Sequence, residues 1–161
     1  MIHKIQRLCL VVTLTALIAL PAVAQEAAHG HTMVDSDGLA YADIQPEGFD
    51  PGMKIAVLLG DPAVADEQYV LRLSFPAGYR FPAHYHPKAE NLTVLSGELL
   101  LGVGSEADDS KMQSYMPGDF IHIEPENPHY GGAKSETIIQ LHGFGPFQVM
   151  LPEAKAKTAG M

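Results

Sequence analysis

The sequence predicts an all-β domain, a sandwich or a single barrel of short strands, placed behind a removable leader. Three observations carry this. Apolar and polar residues alternate with a period of two, as where Tyr69, Leu71, Leu73 and Phe75 interleave with Val70, Arg72 and Ser74; this is the pattern of a strand with one face in a core. Such runs are short, closely spaced and broken by Gly, Pro and Asp. No long stretch of helical period competes with them, and the pattern does not repeat as a whole, so one barrel is expected rather than two.

Residues 1–24 read as a secretory signal peptide. Lys4 and Arg7 form a basic start, Leu8 to Leu20 is an apolar run, and Pro21-Ala22-Val23-Ala24 ends on small residues suited to cleavage. The run is short for a bilayer-spanning helix, which needs about 20 apolar residues. Cys9, the chain's one cysteine, lies inside it, so the mature chain would have no disulfide and would rest on packing and metal. An exported protein is expected, in the periplasm or outside the cell. Residues 25–45 read as an N-terminal arm, and His29 and His31 within it as solvated.

Residues 46–152 read as the barrel and residues 153–161 as a polar tail. Pro46 to Gly52 is turn-rich and introduces the domain. Lys54 to Leu59 is the first strand, ended by Gly60-Asp61-Pro62. Tyr69 to Phe75 is stopped by Pro76-Ala77-Gly78. Asn91 to Ser96 and Glu98 to Val103 flank a turn at Gly97, and the polar Gly104 to Lys111 reads as an exposed hairpin loop. Met112 to Met116 leads to a turn at Pro117-Gly118-Asp119. Phe120 to Glu124 is followed by Pro125-Glu126-Asn127-Pro128, and Thr137 to His142 and Phe147 to Leu151 complete the strands.

The formal net charge is −9, and loss of the leader's two basic residues takes it to −11. A chain this acidic repels phosphate backbones and anionic membrane surfaces, so neither nucleic acid nor membrane is an expected partner of the mature protein.

The residues that carry chemistry are concentrated in His84-Tyr85-His86-Pro87-Lys88-Ala89-Glu90. Side chains two apart on a strand share a face, so His84 and His86 can both point inward, about 7 Å apart. Glu90 would lie about 13 Å further along an extended chain, out of reach of the same ion. The chain must therefore bend between them, and Pro87 is where a strand would break. A fourth ligand must come from elsewhere; His129, expected at the end of the Phe120 to Glu124 strand, is the best candidate. Neutral imidazoles with one carboxylate suit a divalent Fe, Mn, Ni, Zn or Cu ion.

Gly78-x5-His84-x-His86-x3-Glu90-x6-Gly97 resembles the first cupin motif at every fixed position. Gly118 to His129, opened by Pro117-Gly118-Asp119, is similar to the second. It departs in that Pro125 sits one place late, Glu126 replaces a glycine and Ala133 stands where many members have asparagine. The chain thus resembles a small single-domain exported cupin. The resemblance implies a double-stranded β-helix, or jelly-roll, with its metal inside, and a homodimer formed through barrel edges or strand exchange.

Around these ligands, His122 shares a strand face with Phe120 and Glu124, and Gln140 shares one with His142. These three are candidates to line the cavity as proton carriers or supports of the ligands; equally, each is an ordinary surface or hydrogen-bonded side chain. Tyr85 and Tyr130, each next to a ligand, are expected to point away from the interior. Tyr79 is a candidate to gate the mouth. Two functions are compatible with this pattern: a metal-dependent oxygenase, isomerase or lyase acting on a small organic acid, or a non-catalytic ligand-binding or sensing module with a structural metal.

Overall fold

The computed structural model describes residues 30–152. The expected leader, His29 and the expected polar tail lie outside the described residues. Among the described residues no helix is long and apolar enough to cross a membrane.

Among the described residues ten strands run β1 (Ala42–Asp43), β2 (Lys54–Leu59), β3 (Gln68–Phe75), β4 (Arg80–His84), β5 (Glu90–Ser96), β6 (Leu99–Val103), β7 (Gln113–Tyr115), β8 (Phe120–Ile123), β9 (His129–Ala133) and β10 (Thr137–Phe144). They form a six-stranded sheet in the order β1-β2-β3-β10-β5-β8 and a four-stranded sheet in the order β4-β9-β6-β7. Every pairing is antiparallel. The fold is the expected all-β jelly-roll.

Period-two burial sets which face is inside. In β3, Tyr69, Leu71, Leu73 and Phe75 are buried, and in β10 Ile139 and Leu141 are buried. Together with Leu92 and Val94 of β5 and Leu99 and Leu101 of β6 they form one core between the sheets. Leu71 and Leu141, paired across β3 and β10, are wholly inaccessible to solvent. This packing of inner faces is the main favourable contribution to such a fold.

The structure departs from the expected strands in three places. Ala42 and Asp43 pair with Ile55 and Lys54, so the sheet begins inside the stretch read as an arm. His129 does not end the Phe120 strand; it opens β9, a strand the sequence pattern did not reveal because its Gly131-Gly132 pair breaks any alternation. Phe147 to Leu151 is not a strand. Pro146 and Pro152 bracket it, and its only ladder contact is the bridge between Met150 and Tyr85. Instead it covers part of the interior, and both it and the segment from Ile44 to Met53 contribute apolar side chains to the cavity wall.

Candidate metal centre

His84 ends β4 in the small sheet, and His129 is its register partner at the start of β9. The close approach of β9 to its neighbours depends on glycine. A Cβ on Gly131 would stand 2.0 Å from the Leu100 carbonyl oxygen, and one on Gly132 would stand 2.3 Å from that of Tyr79. After His86 the chain bends at Pro87 and Lys88, then enters β5 of the opposite sheet at Glu90. The bend that the spacing demanded is therefore present, and it carries Glu90 across the barrel to face the histidines.

The four side chains converge. One ring nitrogen from each of His84, His86 and His129 lies within 4.8 Å of the others. Oε2 of Glu90 is 3.5 Å from Nε2 of both His86 and His129. All four residues are buried.

Each imidazole is oriented by the main chain. Nδ1–H of His84 donates to the Pro82 carbonyl (2.9 Å), that of His86 to Gln148 (2.7 Å) and that of His129 to Asn127 (3.1 Å). A carbonyl can only accept, so this pattern puts the proton on Nδ1 and leaves the Nε2 lone pair turned inward. Phe147 lies nearly parallel to the His86 ring at 4.8 Å, and Phe49 meets His84 edge-on at 4.9 Å. Nε2 of His86 is buried and makes no hydrogen bond.

Without an ion this cluster is electrostatically unfavourable in its charged forms. Burial, with the neighbouring His129, pushes His84 down to about 3, and burial brings His86 down to about 4. Burial lowers His129 as well. Burial alone raises Glu90 to about 8. Three neutral imidazoles with inward lone pairs and a carboxyl short of a compensating charge form a donor set that fits a divalent transition ion. The three-histidine group is compatible with a metal ion.

The supporting candidates fall elsewhere. In β8, Ile121 and Ile123 face the core and His122 faces out, with its Nδ1 2.8 Å from Oδ1 of Asn91 and its Nε2 3.5 Å from Glu124. In β10 the core takes Ile139 and Leu141, so Gln140 and His142 share the outer face. Gln140 accepts from the Arg72 guanidinium at 2.9 Å. None of the three lines the cavity. Tyr79 is no gate; it is buried in the core against Phe75. Tyr130 points out of the barrel yet is buried, its hydroxyl donating to the Asp108 carbonyl of the loop that covers it.

What sequence reasoning missed is the support itself. The orienting carbonyls of Pro82, Asn127 and Gln148 carry no side-chain signal, and Phe49 and Phe147 looked like ordinary apolar residues.

Residues 71–142 match the family model of the cupin domain. No curated protein sequence matches the chain. Among solved structures, the chain is similar to the polyketide cyclase RemF from Streptomyces resistomycificus, with 17% identity, a TM-score of 0.63, and 79% of this chain and 88% of that one covered. It is also similar to a putative acetylacetone dioxygenase from Methylibium petroleiphilum PM1, with 16% identity, a TM-score of 0.59 and coverage of 76% and 83%. An RmlC-like cupin from Shewanella frigidimarina NCIMB 400 shares 19% identity at a TM-score of 0.55, with coverage of 72% and 91%. At these identities the likeness is one of fold.

Proposed function

From the premise that the chain belongs to the cupin superfamily, we propose that it binds one divalent transition metal through His84, His86, Glu90 and His129 and uses it as an oxygenase-type enzyme on a small organic molecule. The observation that carries the metal is Nε2 of His86, buried and without a hydrogen bond among two other inward imidazoles and a carboxyl. A buried polar atom of this kind is costly unless something pairs with it. When bound, such a metal supplies a Lewis-acidic centre with open positions for ligand and dioxygen.

Oxygenase chemistry is favoured over isomerase or lyase chemistry by the cavity wall. Isomerisation and elimination call for a side chain that moves a proton, and the described cavity lining holds no polar side chain beyond the four ligands. The same fact supports a second reading, a ligand-binding module in which the metal only anchors the guest. Two neighbouring structures bear enzyme names, a polyketide cyclase and a putative acetylacetone dioxygenase; those activities belong to those proteins and lend general support to chemistry on this fold.

Metal content of the purified protein, measured alongside His84→Ala, His86→Ala, Glu90→Ala and His129→Ala, tests the site. Near-stoichiometric metal in the parent and its loss in each variant is expected; a parent that takes up no Fe, Mn, Ni, Zn or Cu on reconstitution refutes it. Oxygen consumption by the iron-loaded protein across a substrate panel separates the enzyme from the binding module.

A further inference from the structure

The interior cavity identifies the chemistry of its guest. Four of its seventeen described lining residues carry polar side chains, and those four are His84, His86, Glu90 and His129. The remainder are apolar, with Phe49, Phe81, Leu101, Ile139, Phe147 and Val149 drawn from both sheets and both covering segments. No lysine, arginine, serine, threonine, asparagine or glutamine stands among these lining residues. The polar atoms of a guest must therefore all sit at the ligand cluster. A charge or hydroxyl held against the apolar wall would be buried without a partner.

Charge at the cluster sets the other end. A divalent ion with the single carboxylate of Glu90 leaves one net positive charge beside apolar walls, which a singly ionised oxygen-donor head neutralises. Size sets a further limit. The cavity offers about 70 Å³ to the centres of water-sized groups, so its guest is a short-chain molecule. We propose that the site takes a small molecule with one oxygen-donor head and an uncharged hydrocarbon body, and rejects molecules with a second charged group. This rests on the metal reading above. It narrows the sequence expectation of a small organic acid: an acidic group is accepted at the metal end alone.

The test uses the unaltered protein loaded with Co(II), whose visible absorption reports on its ligands without turnover. It is titrated with acetohydroxamate, with 4-methylpentanohydroxamate, and with succinomonohydroxamate, which replaces the terminal isopropyl group of the second by a carboxylate of matching shape. The branched alkyl compound is expected to bind at least tenfold more tightly than the carboxylated one. Equal affinity, or preference for the carboxylate, overturns the proposal. Cobalt that is retained stoichiometrically but whose spectrum none of the three compounds changes also overturns it, while leaving the metal reading intact. Cobalt that is not retained at all defeats the metal reading, and the proposal falls with it.

Discussion

Phe147 and Glu90 show how single residues set the properties of the centre. Phe147 packs flat on His86, whose Nδ1–H is held by the next residue's carbonyl. Groups that orient a metal-ligating histidine affect affinity even without touching the metal. Phe147→Ala is expected to weaken metal binding about tenfold, measured by competition with a chelating dye, with the fold retained by circular dichroism. Glu90 makes the metal-free protein sensitive to alkali. Its folded carboxyl titrates at about 8 against an ordinary 4.5, so the fold resists its ionisation. Its contribution to stability is therefore lost progressively as pH rises from 4.5, with no further loss above about 8. His84 and His86, lowered to about 3 and 4 from 6.5, cost stability only as pH falls below 6.5. Between pH 6.5 and 8.5 Glu90 dominates. The melting temperature of metal-free protein is expected to fall across that interval and that of loaded protein to hold steady. Glu90→Gln should flatten the metal-free curve; an unchanged slope in that variant would show that Glu90 is not its source.

At the scale of elements, β9 is the least visible in sequence and among the most demanding in structure. All five of its residues are buried. It lies between β4 and β6, and brings His129 opposite His84. Gly131 has no room for a Cβ, which would meet Leu100 oxygen at 2.0 Å and Phe81 Cζ at 2.8 Å. Gly131→Ala is expected to destabilise by about 3 kcal/mol, at the upper end of overpacking costs, and to lower metal affinity by displacing His129. Chemical denaturation and metal titration of the same variant check both effects. By contrast, Leu141→Ala, at a fully buried core position of β10 in the other sheet, is expected to cost about 2–5 kcal/mol. Such a loss is of the same order whether or not metal is bound.

For the whole molecule, metal and export are coupled expectations. A mature chain beginning at Gln25 would contain no cysteine, so its stability would be indifferent to reductant and responsive to chelator. N-terminal sequencing of protein recovered from a bacterial periplasm is expected to begin at Gln25; recovery of the intact leader there would refute cleavage. The fold class, most strands and the convergence of His84, His86 and Glu90 as candidate ligands were legible because they depend on local rules: period-two alternation, Gly and Pro punctuation, and a spacing that forces a bend at Pro87. His129 was legible as a residue but not as the start of β9, since glycines packed for space leave no alternation to read. The outward orientation of His122, Gln140 and His142 was not legible, because alternation divides a strand into two faces without saying which one is inside. That was decided by the opposite sheet, which buries Ile121, Ile123, Ile139 and Leu141. The sequence by itself determined an all-β barrel with a metal-type donor set. Tertiary structure alone decided that Glu90 returns from the opposite sheet, that main-chain carbonyls orient the imidazoles, and that the surrounding cavity is apolar. Each of these depends on contacts between segments far apart in the chain, and local pattern carries no record of them.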